Sequence, residues 1–292
     1  MIRVIDMAEV LDRKKIRQVF RDVQKHELIG QLIRRFSTNK DDIRQTALGQ
    51  VTLANCRNVL ELGCAFGAFT EALQGKLHPA AKITGLDIVS EYEPFFLEAC
   101  KRAGYTGTFS ASGVEQIKKY PADSFDLVIC SYALYFFSDT IPEIARVLKK
   151  DGIFITITHS VCDMQELVEI TKNILQQNNL LGDKQSLPIE ILVDRFSAEN
   201  GDKILAPFFG EIQAIDYKNK LIFQPQEIDY FLEYFHFKKS FFLTEADDHK
   251  KNIVDQLVRE LKDTAIKEKN ISMCKNDKIF IASRPLIPKE LS

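Results

Sequence analysis

The chain has 292 residues, a formal net charge of −2, 45% hydrophobic and 27% charged residues. It is long enough for one large α/β domain with an accessory part, and its near-neutral charge argues against nucleic acid as principal partner. No run of about 18 apolar residues is present to cross a membrane, and Met1 to Asp6 lack the apolar core of a signal peptide.

The six cysteines (Cys56, Cys64, Cys100, Cys130, Cys162 and Cys274) contain no Cys-x-x-Cys pair. They read as reduced thiols of a cytoplasmic protein, and no metal site is expected. In chain order, Ile16, Val19, Phe20, Val23, Leu28, Leu32 and Phe36 recur at helical spacing, with Asp6 and Glu9 as candidate caps. Ser37-Thr38-Asn39 breaks the pattern, and Asp41 to Ala54 reads as a second helix. Residues 1–54 thus form a helical cap. Its basic residues Arg34 and Arg35 are either a solvated face or part of a lid.

Asn58 to Leu62 is a short apolar strand, followed by Gly63 and Gly67 around a tight loop and by helical spacing from Phe69 to Leu77. This order places backbone N–H groups beside a ligand, and Glu61 at the strand's mouth favours one that carries positive charge. A dinucleotide fingerprint would need glycines at 63, 65 and 68, but Ala65 and Ala68 stand at two of them. No Gly-Lys-Ser/Thr follows, so a phosphate-binding loop fails too. What remains, Glu61-x-Gly63-x-Ala65-x-Gly67, resembles motif I of the class I S-adenosylmethionine-dependent methyltransferases, with Ala65 at the middle glycine.

Lys82 to Val89 reads as a second buried strand ending in Asp87, an acidic residue placed to accept ribose hydroxyls, as NAD enzymes also do. Pro94 opens a helix that Gly104 ends. Thr106 to Ala111 is the third strand. Leu127 to Cys130 is the fourth, running into Ser131, Tyr132 and Tyr135 in a segment that resembles the family's motif IV. Helix Asp139 to Lys149, the turn Asp151-Gly152 and strand Ile153 to Thr158 complete the likeness, which covers residues 55–160.

The resemblance implies a doubly wound, seven-stranded, mostly parallel sheet that binds S-adenosylmethionine and releases S-adenosylhomocysteine. Carried onto this sequence, the cofactor set is Glu61, Gly63, Ala65, Gly67, Asp87, Ile88, Ser112, Gly113 and Ser131. In-line methyl transfer depends mainly on positioning, so a base is needed only where the acceptor must lose a proton. His159, Tyr135 and Tyr132 are the candidates, each with a structural reading beside the catalytic one.

Beyond His159 the pattern becomes irregular. Residues 161–237 read as an α+β insertion that recognises substrate, with Asp163-x-x-Glu166 capping a helix, a hairpin over Glu211 to Phe223 and a helix from Pro225. Residues 238–292 read as final strands, Ser240–Thr244 and Lys278–Ser283, around helix Ile253–Lys267. The expected partner is a small-molecule acceptor, with the oligomeric state open, a homodimer included. Alternatives are a non-catalytic cofactor-binding regulatory module and an NAD(P)-dependent oxidoreductase.

Overall fold

Val59, Leu60 and Leu62 are fully enclosed, which is why a five-residue segment can serve as an inner strand, β1 (Asn58–Leu62). The computed structural model describes residues 12–244 and 252–286. The candidate cap residues Asp6 and Glu9, and the tail 287–292, lie outside them. The chain divides into two compact units, one drawn from residues 1–40, 160–194 and 218–276, the other from 41–159, 195–217 and 277–292.

The second unit holds the seven-stranded sheet. Its strands are β1, β2 (Lys82–Leu86), β3 (Thr106–Ser110), β4 (Phe125–Ser131), β5 (Leu148–His159), β6 (Phe209–Tyr217) and β9 (Asp277–Pro285). They lie in the order β3-β2-β1-β4-β5-β9-β6. The β1–β2, β1–β4, β2–β3 and β4–β5 pairs are parallel, and β9 runs antiparallel to both its neighbours. Its helices are α3 (Ile43–Leu48), α4 (Ala68–Ala72), α5 (Glu93–Ala103), α6 (Ile141–Val147) and α9 (Gly201–Leu205). Helix α3 is shorter than the expected 41–54. Asp42 caps its start through Arg44 N–H at 2.8 Å, and Gly49 ends it. The α5 helix begins with Pro94 in its first turn and stops at Gly104, whose φ is +85°.

The first unit contains α1 (Arg13–Phe20), α2 (Val23–Phe36), α7 (Gln165–Gln177), most of α8 (Pro188–Arg195), α10 (Ile228–Phe242) and α11 (Ile253–Lys267). A two-stranded antiparallel sheet, β7 (Lys220–Phe223) with β8 (Ile271–Cys274), completes it. Val23, Ile29, Leu32 and Phe36 form the buried stripe of α2. Phe36 meets Phe223 with ring centroids 4.3 Å apart.

Four local expectations are corrected. The Glu211–Phe223 hairpin does not form: β6 joins β9, while β7 pairs with β8 in the other sheet. Asn219 fixes that parting, because its side-chain oxygen accepts the Asn39 N–H at 3.0 Å and its own N–H donates to Asn276 at 2.9 Å. Ser240 to Phe242 belong to α10, where Phe241 and Phe242 are buried on a helical face. Asp163 and Glu166 do not cap α7: Asp163 accepts from Lys275 Nζ at 2.8 Å and Glu166 from Cys274 N–H at 2.9 Å. Cys162 and Cys274 are joined in a disulfide rather than reduced, with Cα atoms 6.1 Å apart. A separation of 112 residues gave no local sign of it. The other four cysteines are free and buried. Among the described residues no helix is long and apolar enough to cross a membrane.

Candidate functional site

The site begins where β1 ends. Gly63, Ala65 and Gly67 all have positive φ, at 63°, 44° and 80°. A Cβ on Gly63 would stand 2.6 Å from Ala133 Cβ, and one on Gly67 would stand 2.6 Å from Ala99 Cβ. Conformation and close packing therefore both require glycine there. Ala65 keeps its methyl in the left-handed region, which costs roughly 1–2 kcal/mol. Part of that strain is met by a hydrogen bond, since its N–H donates to Asp87 Oδ2 at 3.0 Å.

Asp87 follows β2 and ties two further loops to the first. Its Oδ1 accepts Val89 N–H at 2.9 Å, its backbone oxygen accepts Gly113 N–H at 2.9 Å, and its own N–H donates to Ser110 O at 3.1 Å. The carboxylate is half-buried, and desolvation raises its pKa against the pull of the backbone N–H donors. Ile88 beside it is half-buried and Ser112 is exposed, with its Oγ 3.0 Å from Ser110 Oγ.

Glu61 sits deeper than an open carboxylate at a strand mouth. It is 3% exposed and accepts a hydrogen bond from Thr70 Oγ1 at 2.5 Å. Burial raises its pKa to about 7, against the lowering effects of Thr70 and Arg44. Arg44, unmarked in the sequence reading, is held by Asp42 through Nε at 3.0 Å and Nη2 at 2.9 Å. Its charge bears on both Glu61 and Tyr132.

The third part lies at the ends of β4 and β5. Ser131 is half-buried. Tyr132 turns the chain with φ +57°, while its N–H still donates to Ile157 O at 2.8 Å. Its hydroxyl donates to Asp277 Oδ2 at 2.8 Å, and Asp277 Oδ1 lies 2.7 Å from His159 Nδ1. The Tyr132 and Tyr135 rings stack on the His159 imidazole at 4.8 and 6.0 Å. Arg195 pins this loop, donating from Nη1 to the Tyr135 and Phe136 carbonyls at 2.9 and 2.8 Å. A carboxylate at Asp277 can only accept, so when Asp277 is ionised Nδ1 carries the hydrogen of this bond.

The structure thus gathers the expected residues at one edge of the sheet, at or just beyond the C-terminal ends of β1 to β5. Asp87 meets Ala65 and Gly113, and His159 meets both tyrosines. Asp277 and Arg195 were not anticipated. Asp277 becomes visible only through the antiparallel β5–β9 pairing, which sets it opposite His159. Among the described residues the free thiols offer no nucleophile: burial pushes Cys64 and Cys130 well up and Cys100 to about 12.

Residues 60–156 match the family described as Methyltransferase domain. The uncharacterized methyltransferase YcgJ of Bacillus subtilis (strain 168) is 30% identical over 119 residues, which are 37% of this chain and 44% of that protein. The aligned part therefore spans less than half of that relative. Among solved structures, a protein of Bacillus halodurans C-125 named as a methyltransferase has a TM-score of 0.50 at 14% identity, covering 84% of this chain and 99% of that one. A Haemonchus contortus phosphoethanolamine N-methyltransferase 2, holding phosphomonomethylethanolamine and S-adenosylhomocysteine, has a TM-score of 0.47 at 17% identity. It covers 97% of this chain and 61% of that one.

Proposed function

We propose that the chain is a class I S-adenosylmethionine-dependent methyltransferase that transfers the cofactor's methyl group to a small organic acceptor, a reading supported by the methyltransferase-domain match over residues 60–156. The observation that carries this reading is Asp87, a half-buried carboxylate that ties the glycine loop and the turn after β3 together at the sheet edge. The donor set suits the cofactor. Asp87 retains acceptor capacity for two ribose hydroxyls, and Glu61 gains an ionised form when a positive charge arrives beside it. The loop of Gly63, Ala65 and Gly67 brings bare backbone close to a ligand, which the close approaches to Ala133 and Ala99 already enforce.

When bound, S-adenosylmethionine supplies a methyl group on a sulfonium and leaves as S-adenosylhomocysteine. The chain's residues supply position and charge. Ile88, Ser112 and Gly113 would hold the adenosine together with Asp87, and Ser131 with Tyr132 would line the end that carries the methyl. His159 Nε2 accepts the proton that an acceptor hydroxyl or amine must lose, with Asp277 holding the ring and stabilising its protonated form.

Calorimetric titration with S-adenosylmethionine, S-adenosylhomocysteine and NAD in parallel tests the assignment. Micromolar binding of both adenosyl ligands and none of NAD is expected. No binding of either adenosyl ligand would leave the likeness to this family as one of fold alone.

A further inference from the structure

Cys162 and Cys274 flank the place where two strands leave the seven-stranded sheet. Cys162 stands three residues past His159, the last residue of β5, and Cys274 three residues before Asp277, the first of β9. The β5–β9 ladder ends on the His159–Asp277 pair. A bond from Ser160 N–H to Asn276 O at 3.0 Å follows at once, and the disulfide joins the same two segments covalently.

Those segments are also held together without the disulfide. Met164 N–H donates to Cys274 O at 2.9 Å, Cys274 N–H to Glu166 Oε2 at 2.9 Å, and Lys275 Nζ to Asp163 Oδ1 at 2.8 Å. Opening the disulfide therefore leaves the two cysteines as neighbours, and the bond can form again without a long loop having to close. Cys162 and Cys274 are half-buried and Val161 beside Cys162 is exposed, whereas the four free thiols are buried. Ser160 Oγ and Asn276 Nδ2 donate to Cys162 Sγ at 3.4 and 3.5 Å. Hydrogen bonds to sulfur favour its thiolate, so Cys162 is the better leaving sulfur and Cys274 Sγ is the one that an incoming thiolate attacks.

From this placement we propose that Cys162–Cys274 is a reversible exchange site for dithiol reductants, and that its state sets how the His159–Asp277 pair is held. One thiolate of the dithiol attacks Cys274 Sγ, the S–S bond breaks, and its electron pair leaves on Cys162 Sγ, which takes a proton. The second thiolate of the reductant then displaces Cys274 from the mixed disulfide, and that sulfur takes the second proton. The reductant departs as a cyclic disulfide, having given two electrons and two protons. A low-molecular-mass disulfide reverses the sequence. Two thiols cannot stay at bonding distance, so reduction moves the sulfurs to van der Waals separation and shifts the segments that adjoin the His159–Asp277 end of the ladder. The exchange site stands independently of the methyl-transfer reading, and only its meaning for proton transfer rests on that reading.

The test is incubation of the folded, full-length protein with reduced dithiothreitol and then with oxidised glutathione, followed by maleimide labelling and peptide mass spectrometry. In the oxidised state Cys162 and Cys274 should stay unlabelled and linked. In the reduced state both should be labelled, about two additions per chain, and the link should return on reoxidation. In protein labelled with 13C-histidine, the His159 ring resonance, identified by its loss in His159→Gln, should move between the two states. In Cys162→Ser it should no longer respond to the change. Circular dichroism reports folding, and Cys274→Ser, with the same expected result, replaces the first variant if that chain fails to fold. No Cys162–Cys274 link after oxidation, reduction only in denaturant, or a His159 resonance identical in both states would each overturn the proposal.

Discussion

His159 and Asp277 stand opposite one another in the β5–β9 ladder, and the imidazole Nδ1 lies 2.7 Å from the carboxylate Oδ1. Because the same carboxylate accepts the Tyr132 hydroxyl at 2.8 Å, one buried side chain holds both the imidazole and the ring that stacks on it. Asp277→Asn keeps the shape but offers an amide in place of the charge. The expected result is a fall in kcat by about 10²–10⁴-fold with the methyl acceptor, while S-adenosylmethionine affinity stays within about twofold. Calorimetry and initial rates on the same preparation separate the two, and an unchanged kcat would remove His159 and Asp277 from the chemistry.

Asp87 carries the binding prediction. Asp87→Ala removes the acceptor for Ala65 N–H and Val89 N–H together with the proposed ribose contact. Cofactor affinity should fall by about 1–3 kcal/mol, roughly fivefold to 150-fold. Normal cofactor binding by this variant would refute the placement of the site.

Ala65 is a position where the chain departs from the glycine pattern of the methyltransferase motif it resembles, and its φ of +44° records the consequence. Ala65→Gly relieves roughly 1–2 kcal/mol of backbone strain and loses about 0.4–1 kcal/mol to the freer unfolded chain. A melting temperature unchanged or higher by a few degrees is expected, and calorimetric melting checks it.

Gly67 should behave in the opposite way. Gly67→Ala places a methyl 2.6 Å from Ala99 Cβ at a φ of +80°, so strain and overpacking act together. A loss of roughly 2–4 kcal/mol is expected from denaturant unfolding.

Glu61 links stability to pH. Burial raises its carboxyl to about 7 in the folded chain from an ordinary value of 4.5, so between those values the unfolded state gives up its proton first. Stability contributed by Glu61 is therefore present below about pH 4.5, falls as pH rises through that window, and is lost above about 7. The total is about 3 kcal/mol at most. Glu61→Gln should flatten this part of the pH profile and unfold at higher denaturant than the parent at pH 8.

Much of the sheet was legible because a parallel strand buried on both faces leaves an unbroken apolar run. Leu127–Cys130 gives one, and Val59, Leu60 and Leu62 and then Ile83 and Leu86 give shorter apolar patterns that Gly63 and Asp87 close where the chain leaves the sheet. Gly63, Gly67 and Asp87 could be read for the same reason: their constraints are local, set by backbone conformation and by strand ends.

The features that escaped were those fixed by distant pairing. Asp277 reaches His159 only because β9 inserts antiparallel between β5 and β6, and the partner of Cys162 lies at the end of β8. Phe241 and Phe242 have the aromatic composition of a strand, yet α10 carries them into a helix whose buried face they complete. Local pattern fixes which faces of a segment seek burial, and so by itself it determined the parallel strands β1 to β5 and the glycine loop. Tertiary structure decided which surface meets each face, and with it which buried charges acquire partners.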